Sequence, residues 1–247
     1  MYFEPKNVTL KDGRPCTLRS ATVADAQALL DNMKLLSAES DFMLRYPNEC
    51  TISLEAEQDF LSTQEAAENR LLLVAVVENR VVGSAGMSPS ADFEKYTFRG
   101  RFGLGVRKAF WHLGIGSALL DQLLSSAKDI GFTQIELEVN GANKRAIALY
   151  ERFGFRKYGD LPHGSRLRDG SYAPEYSMVL PLIPCEDPRL ARFEAALAAL
   201  QQRREENERQ LSRLKAEGRE KTVRYRELLG QKLTDGYLLD HFKQFGL

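Results

Sequence analysis

The stretch AFWHLGIGSALLDQLL, residues 109–124, places two glycines directly before a run whose apolar residues recur at helical spacing. Glycine weakens regular structure, so Gly114 and Gly116 each need a physical reason. The first N–H groups of a helix have no partner inside the helix, and the helix dipole favours negative charge beside them. The two glycines therefore predict a site where an anion reaches the backbone at the start of a helix.

The pattern of glycines argues against two common types of phosphate-binding loop. A dinucleotide-binding loop would carry a third glycine near position 119, where this chain has Leu119. A P-loop would require Gly-Lys followed by Ser or Thr, which does not follow either glycine. The sequence therefore favours a pyrophosphate from a different type of ligand.

The segments around this stretch alternate between strand and helix patterns. TFRGRFGLGV (97–106) predicts a strand before it, and TQIELEV (133–139) and KRAIALYERF (144–153) predict a strand and a helix after it. Upstream lie two apolar strand candidates, residues 70–79 and 80–89, and downstream a hairpin that turns at Asp169–Gly170. The fold class predicted is α/β (α+β), with one mixed central sheet flanked by helices.

Composition bounds the class of protein. The 247 residues are 43% hydrophobic with zero formal net charge, which is typical of a soluble protein with a core and indicates no general affinity for nucleic acid or membranes. No signal peptide or membrane span is predicted, and the three cysteines, Cys16, Cys50 and Cys185, have no ligand-like spacing. We therefore expect a cytoplasmic protein without a metal site.

The composition changes after the prolines at 181, 184 and 188. Beyond them a heptad-like seam, interrupted in its middle, predicts a helical, coiled-coil-like appendage. Its positions are Leu190, Phe193, Leu197, Leu200, Arg204, Asn207, Leu211 and Leu214. We expect two parts, residues 1–183 and 184–247. The helices either fold on each other or on the first domain, or use residues 187–247 to form a homodimer or dock a partner.

A second motif, VNGANKRAIALYERFGF (139–155), follows the glycine loop. Together, residues 104–155 resemble the GNAT superfamily of acetyl-CoA-dependent N-acetyltransferases. That family has an Arg/Gln-x-x-Gly-x-Gly/Ala loop, then a strand, an Asn, a helix with Ala-x-x-x-Tyr, and a closing Gly-Phe. The matching positions are Gly114, Gly116, Asn143, Ala146, Tyr150, Gly154 and Phe155. Trp111 departs from the pattern, since Arg or Gln is usual there.

The resemblance implies acetyl-CoA as co-substrate and assigns roles to the matching residues. The Val106 N–H would stabilise the oxyanion, and the Tyr150 phenol would give a proton to the leaving sulfur. Gly103 and Gly105 would permit a β-bulge in the strand that binds pantetheine. The residues expected to bind the cofactor are Leu104, Val106, Trp111, His112, Leu113, Gly114, Ile115, Gly116, Ser117, Asn143, Ala146 and Tyr150.

The motifs say less about the residues that bind the acceptor amine, and they do not identify a general base. Glu136 and Glu138 share one face of their strand, and the irregular stretch 39–49 holds acids and an aromatic that would suit a cationic amine. We expect Glu39, Tyr46 and Glu138 to contact the substrate.

The resemblance implies acetyl transfer to a primary amine by direct attack in a ternary complex. The amine is a small molecule or a protein amine, with the small molecule favoured. The alternative is a catalytically silent acetyl-CoA sensor or scaffold that acts through the helical tail.

Overall fold

The computed structural model describes residues 3–183 and 188–243. The chain divides into two compact units, Met1–Ile183 and Pro184–Leu247. Pro184, Cys185 and the side chain of Leu190 lie outside the described part. Each unit is described by itself below.

The first unit is built on one eight-stranded sheet. Its strands are β1 (Lys6–Thr9), β2 (Pro15–Ser20), β3 (Leu71–Val77), β4 (Arg80–Pro89), β5 (Arg99–Val106), β6 (Gln134–Asn140), β7 (Arg156–Arg166) and β8 (Tyr172–Pro181). The spatial order is β1-β2-β3-β4-β5-β6-β8-β7. β5 and β6 are parallel and every other neighbouring pair is antiparallel, so the sheet is mixed as predicted.

Four helices accompany this sheet: α1 (Ala26–Glu39), α2 (Leu54–Ala66), α3 (Ile115–Asp129) and α4 (Lys144–Arg152). On one face, Leu61 of α2 and Leu29 of α1 cluster with Val74 of β3. The main core includes Leu119 of α3 and Ile135 of β6, neither of which is accessible to solvent. The sheet is therefore covered by helices on both faces.

The predicted β-bulge at Gly103 and Gly105 is wrong. The pairing of β4 with β5 runs without a register shift from Gly83↔Val106 to Pro89↔Gly100. The absence of a side chain at Gly105 has another reason, since a Cβ there would lie 2.8 Å from Leu36 Cδ1. Gly105 thus lets α1 approach the strand closely.

The pairing of β5 with β6 stops early. It covers only Arg99–Arg101 against Gln134–Glu136, although β5 continues to Val106 and β6 to Asn140. Beyond Arg101 the two parallel strands have no ladder between them, and this separation forms the candidate site.

The second unit contains α5 (Pro188–Ala216) and α6 (Val223–Lys243), which pack on each other. The predicted seam faces inward, where Leu211 and Asn207 of α5 are buried. Asp235 of α6, also buried, accepts two hydrogen bonds from the Arg203 guanidinium, at 2.9 and 2.6 Å. None of the described helices is both long and apolar enough to cross a bilayer.

Candidate functional site

A cleft of about 950 Å³ opens where β5 and β6 separate. Its walls come from β5, the start of α3, β6 and α4, and its far end from the segment after α1 and the β7–β8 hairpin. It is therefore a continuous space that begins at a helix N-terminus and passes between two strands.

The backbone of β5 faces this cleft at alternate residues. The Arg107 N–H donates to Val82 O on the β4 side (2.9 Å), whereas Phe98 O accepts from the Thr133 N–H on the β6 side (2.9 Å). Strand alternation then directs the N–H and C=O groups of Leu104 and Val106 away from β4, into the separation. The Trp111 indole N–H donates to Val106 O at 2.6 Å.

The start of α3 contributes further free donors. Gly114 adopts a left-handed conformation (φ +100°), which glycine tolerates and most residues do not. The Ala118 N–H donates to Gly114 O (3.0 Å), so the N–H groups of Ile115, Gly116 and Ser117 precede the first helical bond. A Cβ added at Gly114 would meet no atom within 4 Å. An anion has both space and donors here.

Trp111, which departs from the family pattern, packs its ring against the guanidinium group of Arg145. The Arg145 guanidinium lies 3.1 Å from the centroid of the Trp111 ring, and both residues line the cleft. Burial lowers the pKa of Arg145, which nevertheless remains charged. No carboxylate in the described part of the chain pairs with Arg145, so its charge is available to an anion.

Tyr150 lies on α4 and lines the cleft, with 6% of its surface exposed. Its ring packs edge-on against Phe102 at 5.5 Å between centroids. Burial raises the pKa of Tyr150 to about 12, opposed by the nearby charge of Arg145. The phenol is therefore protonated at neutral pH and can donate a hydrogen bond or a proton.

Asn143 and Ala146 also line the cleft. The Asn143 side chain caps α4 by accepting from the Ala146 N–H at 3.1 Å. Ser117 accepts from the Arg152 guanidinium at 2.6 Å, which ties the start of α3 to the end of α4. His112, also a lining residue, has a left-handed backbone (φ +64°) in the turn before Gly114.

Two of the expected site residues lie outside the cleft lining. Leu113 packs against the core, and its carbonyl accepts from the Lys11 N–H at 3.2 Å. The Tyr46 hydroxyl accepts from the Arg168 N–H at 3.1 Å, and its ring lies 4.0 Å from the Arg168 guanidinium. Tyr46 thus joins the segment after α1 to the β7–β8 hairpin.

The acids expected on the acceptor side have different partners. Glu39 lines the cleft and accepts from Arg107 Nε (2.8 Å) and the Lys108 N–H (2.6 Å). Glu138 also lines it and pairs with Arg101 at 2.8 Å.

Glu136 lies outside this cleft and lines a smaller neighbouring pocket of about 290 Å³. It makes two 2.7 Å hydrogen bonds with Arg99, which hold the pKa of the Glu136 carboxyl below its usual value.

Glu175 of β8 is a cleft residue that the sequence reasoning missed. The alternation of polar and apolar residues in APEYSMV, residues 173–179, places Glu175 and Ser177 on one face, but the sequence does not show which strand lies beside it. Among the described residues, no group of three or more His, Cys, Asp or Glu could hold a metal ion.

Comparison with known proteins agrees with this geometry. Residues 36–155, just under half of the chain, match the acetyltransferase (GNAT) family, so this segment is similar to a GNAT acetyltransferase domain. The "Probable N-acetyltransferase camello" of Xenopus tropicalis is 31% identical over 104 residues, 42% of this chain and 45% of that protein. The match therefore spans less than half of that relative. The GNAT family uses acetyl-CoA as its co-substrate.

Two further comparisons cover more of the chain. The N-alpha-acetyltransferase of Sulfurisphaera tokodaii is 28% identical over 180 residues, 70% of this chain and 96% of that protein. The structure of yncA from Salmonella typhimurium with its cofactor acetyl-CoA superposes with a TM-score of 0.61 at 19% identity, over 68% of this chain and 95% of that one. This likeness shows the fold.

Proposed function

We propose that this chain is an N-acetyltransferase that moves the acetyl group of acetyl-CoA to a primary amine by direct attack. The observation that carries the proposal is the separation of β5 from β6 beyond Arg101, with a cleft that reaches from the start of α3 to Glu138. The same cleft thus offers N–H groups that can donate to a phosphate at one end and carboxylates at the other.

The residues of the cleft fit the cofactor in parts. The free N–H groups of Ile115, Gly116 and Ser117 suit its pyrophosphate, with Arg145 as a nearby cation. The backbone N–H and C=O of Leu104 suit the amides of the pantetheine arm, since the Val106 C=O already accepts from Trp111. The Val106 N–H is the proposed oxyanion donor, and Tyr150 the proposed donor to the leaving sulfur.

Direct attack is favoured over a covalent intermediate on the protein. No cysteine is found among the described residues that line the cleft, and Cys16 and Cys50 are both buried elsewhere. A cleft open to the acceptor side lets the amine and the thioester meet without a carrier residue.

The acceptor is proposed to be a cationic primary amine. Glu39, Asp41, Glu138 and Glu175 line the cleft and favour a positively charged group. A small-molecule amine is the first choice and a protein amine the second. The cytoplasmic location stays a prediction.

The test is thiol release from acetyl-CoA in the presence of a panel of polyamines, amino acids, other small amines and short peptides with free N-termini. We expect release with at least one amine, together with saturable binding of acetyl-CoA in calorimetry. Binding without release from any amine would indicate the silent sensor instead. Absence of both would overturn the site assignment.

A further inference from the structure

We propose that Glu175 accepts the proton of the attacking amine, and that Glu138 holds the ammonium group beside it. This assignment rests on the proposed function and names a base that neither the motif nor the comparisons supply.

The sheet register brings the two carboxylates to one place. Glu138 of β6 lies opposite Ser177 of β8, and Asn140 lies opposite Glu175. Glu175 and Ser177 are two residues apart on one strand, so Glu175 shares a face with Glu138 and is its diagonal neighbour. Both side chains line the cleft.

Their charge partners differ. The Glu138 carboxylate is bound by the Arg101 guanidinium at 2.8 Å, and 52% of the Glu138 side chain is exposed. The Glu175 carboxylate has no hydrogen bond or ion pair with any residue that the structure describes. Arg101 binds Oε2 of Glu138 and leaves Oε1 to accept from an ammonium N–H, whereas the free Glu175 carboxylate is suited to take a proton.

The surroundings of Glu175 increase its basicity. Burial raises the pKa of the Glu175 carboxyl, the negative charge of Glu138 raises it further, and Arg101 opposes this. The adjacent β7 contributes Gly164, where an added Cβ would lie only 2.3 Å from Glu175 Cβ. The β7 backbone therefore lies directly against Glu175 and covers one side of it, while its other side faces the cleft.

The other titratable groups near Glu175 are less suited to accept the proton of the amine. Glu39 and Asp41 line the same cleft from the end of α1 and the segment after it, and Glu39 is already bound by Arg107. His163 of β7 packs its ring 4.5 Å from the Tyr172 ring. Glu175 is thus the lining carboxylate with both a raised pKa and no bound cation.

The proposed step balances as follows. Glu175 takes one proton from the ammonium group, and the freed nitrogen lone pair forms the C–N bond with the acetyl carbon. The C–S bond breaks, and the sulfur keeps its electron pair and takes a proton from Tyr150. Tyr150 regains a proton from the second N–H of the new amide nitrogen, and Glu175 releases its proton to solvent.

The experiment compares the full chain with Glu175→Gln, Glu138→Gln and, as a matched control, Glu55→Gln on the exposed face of α2. The readouts are kcat/KM for a primary amine between pH 5 and 10, taken as a working range around the carboxyl and amine values, and acetyl-CoA affinity by calorimetry. Glu175→Asp tests whether any carboxylate at this position restores activity.

We expect kcat/KM of the unsubstituted chain to fall as the pH decreases through the raised pKa of Glu175, because the protonated carboxyl cannot accept a proton. Glu175→Gln should lower kcat/KM at neutral pH by roughly a hundredfold and move this acid limb from the pKa of Glu175 to that of the amine. The loss should shrink at alkaline pH, where the amine is already neutral. Glu138→Gln should mainly raise KM for the amine, and acetyl-CoA affinity should hold in all variants.

An unchanged acid limb in Glu175→Gln, or its loss in Glu138→Gln alone, would overturn the assignment while leaving the proposed function intact. Absence of thiol release by the unsubstituted chain with every amine would overturn both.

Discussion

At the scale of single residues, Tyr150 combines burial with access to the cleft. Burial in an aromatic cluster raises the pKa of its phenol to about 12, so the group stays protonated at neutral and mildly alkaline pH. A protonated phenol that the surrounding rings hold in place is suited to donate to a leaving thiolate.

We expect Tyr150→Phe to lower kcat by roughly tenfold to a thousandfold, because it removes one transition-state donor. The ring packing against Phe102 survives, so acetyl-CoA affinity and melting temperature should change little. Steady-state kinetics and calorimetry test this, with Tyr158→Phe on exposed β7 as the control. An unchanged kcat in the Tyr150→Phe variant would leave Tyr150 a packing residue only.

Gly116 tests the anion site with a matched pair of substitutions. A Cβ at this position would have its nearest contact at 3.5 Å, from Leu149 Cδ2, so Gly116→Ala fits the space. Gly116→Glu would place a carboxylate at the helix N-terminus where the pyrophosphate is proposed to bind. We expect a large loss of acetyl-CoA affinity in the Glu variant and a smaller one in the Ala variant, measured by calorimetry. Equal affinity in both would contradict the site.

Arg145 is a second test at this scale. Its guanidinium stacks on Trp111 beside the start of α3 without a described carboxylate partner. Arg145→Ala should weaken acetyl-CoA binding by about tenfold, and the loss should shrink as salt is raised, because screening weakens the interaction in the parent chain. Lys144→Ala, the neighbouring cation, serves as the control. A loss that is independent of salt would indicate that Arg145 acts through packing on Trp111.

At the scale of elements, the helical hairpin of α5 and α6 contains a buried acid, Asp235. The Asp235 side chain is 3% exposed, and Arg203 holds the pKa of its carboxyl below the usual value. The stabilisation is therefore complete above the ordinary carboxyl pKa and is lost as the pH falls through the lowered value. Acid should loosen this hairpin.

Asp235→Asn should destabilise the hairpin by about 1–3 kcal/mol at neutral pH, since a charge-assisted pair is lost from a buried position. Faster amide exchange in α5 and α6 would report it, and the difference from the parent chain should narrow toward pH 3. Glu205→Gln, whose pair with Arg209 is exposed, is the control. Equal exchange in both variants would show that the Arg203 pair contributes nothing.

At the scale of the whole molecule, every described cleft residue belongs to Met1–Ile183. A chain truncated after residue 183 should therefore fold and bind acetyl-CoA with unchanged affinity. Sedimentation of both forms then tests the tail. If residues 187–247 form a homodimer, only the full chain should sediment as one, and an equal oligomeric state in both forms rules this out.

Apolar side chains remain on the surface of the helical hairpin. Leu233 is 66% exposed and Tyr237 75% exposed, one turn apart on α6. The seam that the sequence predicts is occupied by packing between α5 and α6 within the chain. If a dimer uses these exposed residues of α6, Leu233→Lys should dissociate it.

The sequence by itself determined the order of the elements from β3 to α4. Local signals were sufficient for the glycines before α3 and the Asp169–Gly170 turn, because each depends on neighbouring backbone geometry. The motif from 104 to 155 also indicated the family, since its glycines, Asn143 and Tyr150 recur at fixed spacing.

Only the tertiary structure decided where non-local residues meet. The β5–β6 pairing ends early, Tyr46 lies outside the cleft lining and Glu175 lies within it. All three features depend on partners that are distant along the chain. Gly105 illustrates the reason: the sequence suggested a bulge, but Leu36 of α1 packs against that position. Alternation along a strand assigns a side chain to a face, whereas sheet order and helix packing determine what that face meets.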